Sequence, residues 1–133
     1  ATIYVATSKA FQDWASDVGL GKNVYKIGIA EDQTPDEAVA NLCGCSDWKV
    51  LKAEDAGELT EAEMMERLAR KEKLVDPNYY PRLRGEKAVV KANLTAIENN
   101  TLVALALDGR EPPKNFKIKP VDVAEYLIRA VVK

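Results

Sequence analysis

Apolar positions in this chain fall into short runs that alternate between two periods. Thr2-Ile3-Tyr4-Val5-Ala6-Thr7 and Asn23-Val24-Tyr25-Lys26-Ile27-Gly28-Ile29-Ala30 are nearly continuous. Runs of that kind suit strands buried on both faces, as central strands are. Between them, over residues 8–18, Phe11, Trp14, Ala15 and Val18 recur at helical spacing behind Ser8, a good cap. Gly19-Leu20-Gly21 breaks that pattern. Thr34-Pro35-Asp36-Glu37 then combines an N-cap, a proline suited to the first helical position and first-turn acids. It predicts a helix through Val39 and Leu42 that stops near Gly44.

Further along, Trp48 to Ala53 reads as a third strand. Thr60 opens the clearest helix, with Met64, Met65 and Leu68 on its apolar stripe and charges on the other face. Residues 75–85 are bounded by prolines and glycine and form a loop. Over 86–98, Val89, Val90, Leu94 and Ile97 fit a helix face, although the Val and Thr content permits strand; helix is the expectation. Thr101 to Leu107 is expected to be a strand ending at the turn pair Asp108-Gly109. Phe116 to Lys119 reads as a further short strand. Pro120 starts a last helix with Val123, Leu127, Ile128 and Val131 along one side. Strands and helices alternate without repeats, which predicts a mixed α/β (α+β) fold. It would be one domain holding a small mixed sheet of about four to five strands flanked by helices. The short stretch Arg110 to Asn115 is the one candidate joint.

Length and composition add boundaries. The chain has 133 residues, 47% apolar and 30% charged, which suits one soluble globular domain. A net charge of −2 gives no global drive towards nucleic acid or anionic membranes. No apolar run approaches the roughly 18 residues of a membrane span, and no leader is visible in the first twenty residues. The expected compartment is the cytoplasm, with no membrane partner. The absence of histidine excludes Ser-His and Cys-His nucleophile pairs and every histidine-bearing metal site. Cys43 and Cys45 flank a glycine; a bond between them would close a small strained ring, so reduced thiols are expected.

Ile3-Tyr4-Val5, Tyr25-Lys26-Ile27-Gly28 and the proline-led segment Thr34 to Leu42 follow one another as strand, strand and helix. In that order they resemble the GIY-YIG nuclease superfamily, closest to its small phage-type branch. The resemblance implies that Tyr4 acts near the attacking water, with Lys26 and Gly28 beside it and facing a common open hollow. It also implies a metal-binding glutamate on a later helix, for which Glu63 and Glu66 are the nearest candidates. The family's phosphate-steadying arginine has no counterpart in Pro35-Asp36-Glu37-Ala38-Val39-Ala40. Phosphoryl transfer depends on fixed positive charge where negative charge develops. A member without that clamp is expected to be degenerate. Magnesium would be a cofactor only if nuclease activity survived; otherwise no cofactor and no metal site is expected.

Two charged stretches complete the inventory. Glu54, Asp55, Glu58, Glu61, Glu63 and Glu66 form an acidic block without the pattern of a calcium loop, and suit a solvated loop feeding a helix. From Arg67 to Lys91, eight basic residues stand against three acidic ones, with Tyr79 and Tyr80 in the middle. Basic groups for phosphates beside aromatic platforms for bases are what single-stranded nucleic acid requires. A plain solvent face, or a protein-binding surface, would have the same composition. The leading expectation is a non-catalytic nucleic-acid-binding or partner-binding module that uses Tyr25, Tyr79, Tyr80, Arg82, Arg84 and Lys87, together with Tyr4 and Lys26. The alternatives are a small accessory or regulatory subunit of a larger assembly, and a weak metal-dependent nuclease. The expected partners are nucleic acid, a protein or a second copy.

Overall fold

The computed structural model describes residues 1–111 and 116–132. Strands β1 (Thr2–Thr7), β2 (Val24–Ala30), β3 (Lys49–Asp55), β4 (Lys73–Leu74) and β5 (Val89–Lys91) form one sheet in the order β3-β1-β2-β5-β4. All four pairings are antiparallel, so the sheet carries no parallel pair. The helices are α1 (Lys9–Asp17), α2 (Pro35–Val39), α3 (Glu61–Lys71), α4 (Leu94–Leu107) and α5 (Pro120–Val132), with 3₁₀ turns at Leu42–Gly44 and Pro81–Leu83. The expected mixed α/β class is borne out.

Apolar residues on both faces of β1 and β2 back two cores onto this sheet. One face presents Ile3, Val5, Tyr25, Ile27 and Val90 to Met64 and Leu68 of α3 and to Val123, Leu127 and Ile128 of α5. The other presents Tyr4, Ala6, Val24, Ala30 and Val89 to Phe11 and Ala15 of α1, Val39 of α2 and the side chains of the two 3₁₀ turns. Helix starts follow the capping chemistry in the sequence. Thr34 and Thr60 each form a capping box with the glutamate three residues on, and the Ser8 hydroxyl accepts from the Phe11 amide.

The C-terminal third differs from expectation. Thr101 to Leu107 is not a strand but the second half of α4. Its leucines and alanines are strong helix formers, and Asn93 caps the helix by accepting from the Ala96 amide. The segment 86–98 divides: Val89–Lys91 is strand, because two β-branched residues fill both faces of the slot beside β2, and the helix begins only at Leu94. Phe116 to Lys119 alternates in burial as a strand would, yet belongs to no ladder and leads into α5 at Pro120. α2 ends at Val39, short of Gly44, where Asn41 turns left-handed at φ 57°. Most of the joint expected near Arg110 to Asn115, residues 112–115, lies outside the described residues.

Candidate functional site

β1 and β2 bring the residues of the family resemblance together. Tyr4 lies opposite Gly28 and Ala6 opposite Lys26, so Tyr4, Lys26 and Gly28 share one face of the sheet. The tyrosine ring lies over the glycine: a Cβ added at Gly28 would stand 2.6 Å from the Tyr4 hydroxyl oxygen. The hollow expected beside them is closed. Tyr4 is 4% and Lys26 5% exposed. A buried ammonium needs a counter-charge, and the loop before β5 supplies Glu86, whose Oε2 accepts from Lys26 Nζ at 3.1 Å. Burial, then Glu86 and Glu61, push the Tyr4 phenol up to about 12. Outside this seal, Glu61, Ala62, Met65, Gly85, Glu86 and Lys87 line an open hollow of about 500 Å³.

The thiols lie on the same face. Cys43 and Cys45 are free and buried in a turn where Cys43 and Gly44 take φ 52° and 76°. Cys43 Sγ donates to the Leu83 carbonyl at 3.6 Å, and Arg82 Nη2 donates to Cys45 Sγ at 3.5 Å. The Arg84 guanidinium lies over Gly44, from a backbone that is itself left-handed at φ 50°. Burial, then Glu86 and Cys45, push the Cys43 thiol up to about 11, against the pull of Lys26 and Arg82. Arg82 and Arg84 therefore serve as braces between the two 3₁₀ turns.

The remaining candidates are dispersed. Tyr25 is buried in the core on the opposite sheet face, where burial raises its phenol. Glu63 closes the α3 capping box, and Glu66 pairs with Arg70 on the exposed side of that helix. The glutamates whose charge bears on Tyr4 are instead Glu86 and Glu61. Among the described residues no three His, Cys, Asp or Glu side chains gather closely enough to hold a metal ion. On this face Glu86 is already paired with Lys26.

The basic run 67–91 is also divided. Arg67 donates to the Val131 carbonyl and Lys71 to the Ala130 carbonyl, tying α3 to the end of α5. Tyr80 packs edge-on against Trp14, ring centroids 5.7 Å apart, so it belongs to the core. Tyr79, by contrast, is 79% exposed. Beside it Lys73 of β4 and Lys91 of β5 stand directly opposite each other at the sheet edge. These three residues, with Leu20, Leu74 and Tyr80, line a hollow of about 440 Å³. Among the described residues neither lysine joins an ion pair. Asp76, also at the rim, folds back to accept the Asn78 amide. Lys87 is exposed on the Glu61 side. The lysine pair was hidden within the basic run, because a two-residue strand leaves no periodic trace.

Among the described residues no helix is long and apolar enough to cross a membrane. Comparison with family models, with curated proteins and with solved structures finds no match to this chain.

Proposed function

We propose that this chain is a non-catalytic, GIY-YIG-like module that binds single-stranded nucleic acid at the β4–β5 edge of its sheet. The observation that carries this is the Lys73–Lys91 pair beside the exposed ring of Tyr79. Like charges directly opposite on neighbouring strands cost stability in the free protein. A phosphate between them relieves that repulsion, and an exposed tyrosine gives the adjacent base a stacking surface. The apolar floor of Leu20, Leu74 and Tyr80 suits a base more than an inorganic anion. Tyr4, Lys26 and Gly28 sharing one face supports the GIY-YIG relationship, whereas the closure of the hollow that the resemblance implies beside them counts against it. The absence of catalysis is supported by the seal over them. A phenol at about 12 and an ammonium bound to Glu86 are poorly placed to activate water.

Fluorescence anisotropy of a labelled single-stranded oligonucleotide tests this across a salt series. Binding should weaken steeply with salt, and Tyr79→Ala should cost about 1–3 kcal/mol, the usual worth of one stacked base. Lys73→Ala with Lys91→Ala should flatten the salt dependence by about 0.7 in slope per lost phosphate contact. No binding at low salt would overturn the proposal, because phosphate contacts are strongest there.

A further inference from the structure

A second hollow, of about 180 Å³, lies across the sheet edge from the one beside Tyr79. Glu72, Asn93, Ile97 and Tyr126 line it, together with the same two lysines, Lys73 and Lys91. The Tyr79 hollow backs onto the core of Leu20 and Tyr80, and this one onto the core of Ile97 and Tyr126, so the lysine pair stands between them. Glu72 is the residue at which α3 ends, and its Oε1 is buried and receives no hydrogen bond. The nearby lysines do not answer it. Among the described residues Lys73 and Lys91 form no ion pair, and Lys71 donates to the Ala130 carbonyl. Burial raises the Glu72 carboxyl above its usual range, against the pull of Tyr126 and Lys71. A buried acceptor without a donor costs stability in the free protein, and native proteins keep few of them.

We infer that this hollow takes a base of the bound single strand and reads it through Glu72, with guanine preferred and thymine or uracil rejected. The inference rests on the nucleic-acid reading above, because a phosphate held between Lys73 and Lys91 is what brings a neighbouring base over the edge. The size agrees. About 180 Å³ exceeds the roughly 30 Å³ share of one water and falls below the roughly 300–1,000 Å³ of a site for a larger ligand, which leaves room for one base. The chemistry selects among bases. Unstacked bases offer their Watson–Crick edges. There guanine sets its N1–H and its N2 amino group side by side, and a carboxylate accepts from both. Cytosine and adenine each offer one amino group next to a ring acceptor. Thymine and uracil offer a single N–H between two carbonyl oxygens, which repel a carboxylate. The terminal torsion of a glutamate is soft, so the carboxylate turns to meet a donor that enters the hollow. A site built around a buried acceptor rejects a ligand without the donor, because the acceptor then stays unpaired.

Fluorescence anisotropy at low salt reads this in the wild-type chain, comparing labelled oligothymidine with the same strand carrying one central guanine. The guanine strand should bind roughly tenfold tighter, the usual worth of a well-made contact to a base edge. A strand with inosine at that position, which lacks the N2 amino group, should fall between the two. Glu72→Met should bind the guanine and thymine strands alike, with the wild-type salt dependence and unchanged circular dichroism, because Glu72 meets no phosphate. Equal affinity of the wild-type chain for the two strands overturns the inference and leaves the nucleic-acid reading standing. So does a guanine preference that survives Glu72→Met. Failure to bind either strand at low salt removes the reading and the inference together.

Discussion

The Tyr4 ring occupies the space that any side chain at position 28 would need: a Cβ on Gly28 would come within 2.6 Å of the hydroxyl oxygen and 2.9 Å of the ring carbon that bears it. Tyr4 is itself pinned by Ala30 and Val39 on the covered face of the sheet. Gly28→Ala must therefore displace a buried aromatic ring. We expect it to destabilise the fold by about 1–3 kcal/mol, the usual cost of overpacking. Urea unfolding checks this. Tyr4→Leu should absorb most of the penalty when combined with it, giving a double mutant clearly less unstable than the sum of the singles.

The Lys26–Glu86 pair is unevenly buried, with side chains 6% and 38% exposed. Removing the acid strands a charge away from water, whereas removing the base leaves a carboxylate that solvent still reaches. Glu86→Ala should therefore cost more stability than Lys26→Met, with a difference on the order of 1–3 kcal/mol. A fully buried pair broken from one side loses about 3–5 kcal/mol, and solvent at Glu86 reduces that. Equal losses in chemical denaturation would show that the pair is not sealed in solution.

Alkaline pH should expose the environment of the thiols. Burial holds the Cys43 thiol at about 11, above its ordinary 9.0. Between those values the unfolded chain ionises this group and the folded chain does not. The stability it contributes is complete below pH 9 and is lost as pH rises through the folded value. Unfolding free energy should therefore fall from pH 9 to 11, and Cys43→Ala should fall less over the same interval. Parallel curves for the two proteins would contradict the assignment.

Asp47 gives the opposite sign at low pH. Its carboxylate accepts from the Ser8 hydroxyl and from the Ala10 amide, and these bonds hold it below the usual carboxylate range. A depressed acid contributes stability that is present above its unfolded pKa and lost as pH falls through the folded one. Asp47→Asn should lower stability at neutral pH, by roughly the 0.5–2 kcal/mol of a helix cap. The deficit should shrink on acidification. A deficit independent of pH would mean that the charge plays no part.

Several local devices were readable directly. Thr34-Pro35-Asp36-Glu37 and Thr60 with Glu63 mark helix starts because a cap needs only residues three apart. The first two strands were visible because both of their faces are apolar. Thr101 to Leu107 misled because seven residues of leucine, alanine, valine and threonine carry no clear period, and Asn93, whose cap decides the matter, lies eight residues upstream.

The candidate site divides along the same line. The sequence by itself determined the mixed α/β class, most helix starts and the two central strands that carry Tyr4 and Lys26, because these depend on neighbours within a few positions. Only the tertiary structure decided that Glu86 closes over Lys26 from sixty residues away. It alone decided that Arg82 braces a thiol, that Tyr25 and Tyr4 face opposite cores, and that Lys73 meets Lys91. Those relationships come from register and loop closure, which bring distant residues within a few ångströms without leaving a mark in local composition.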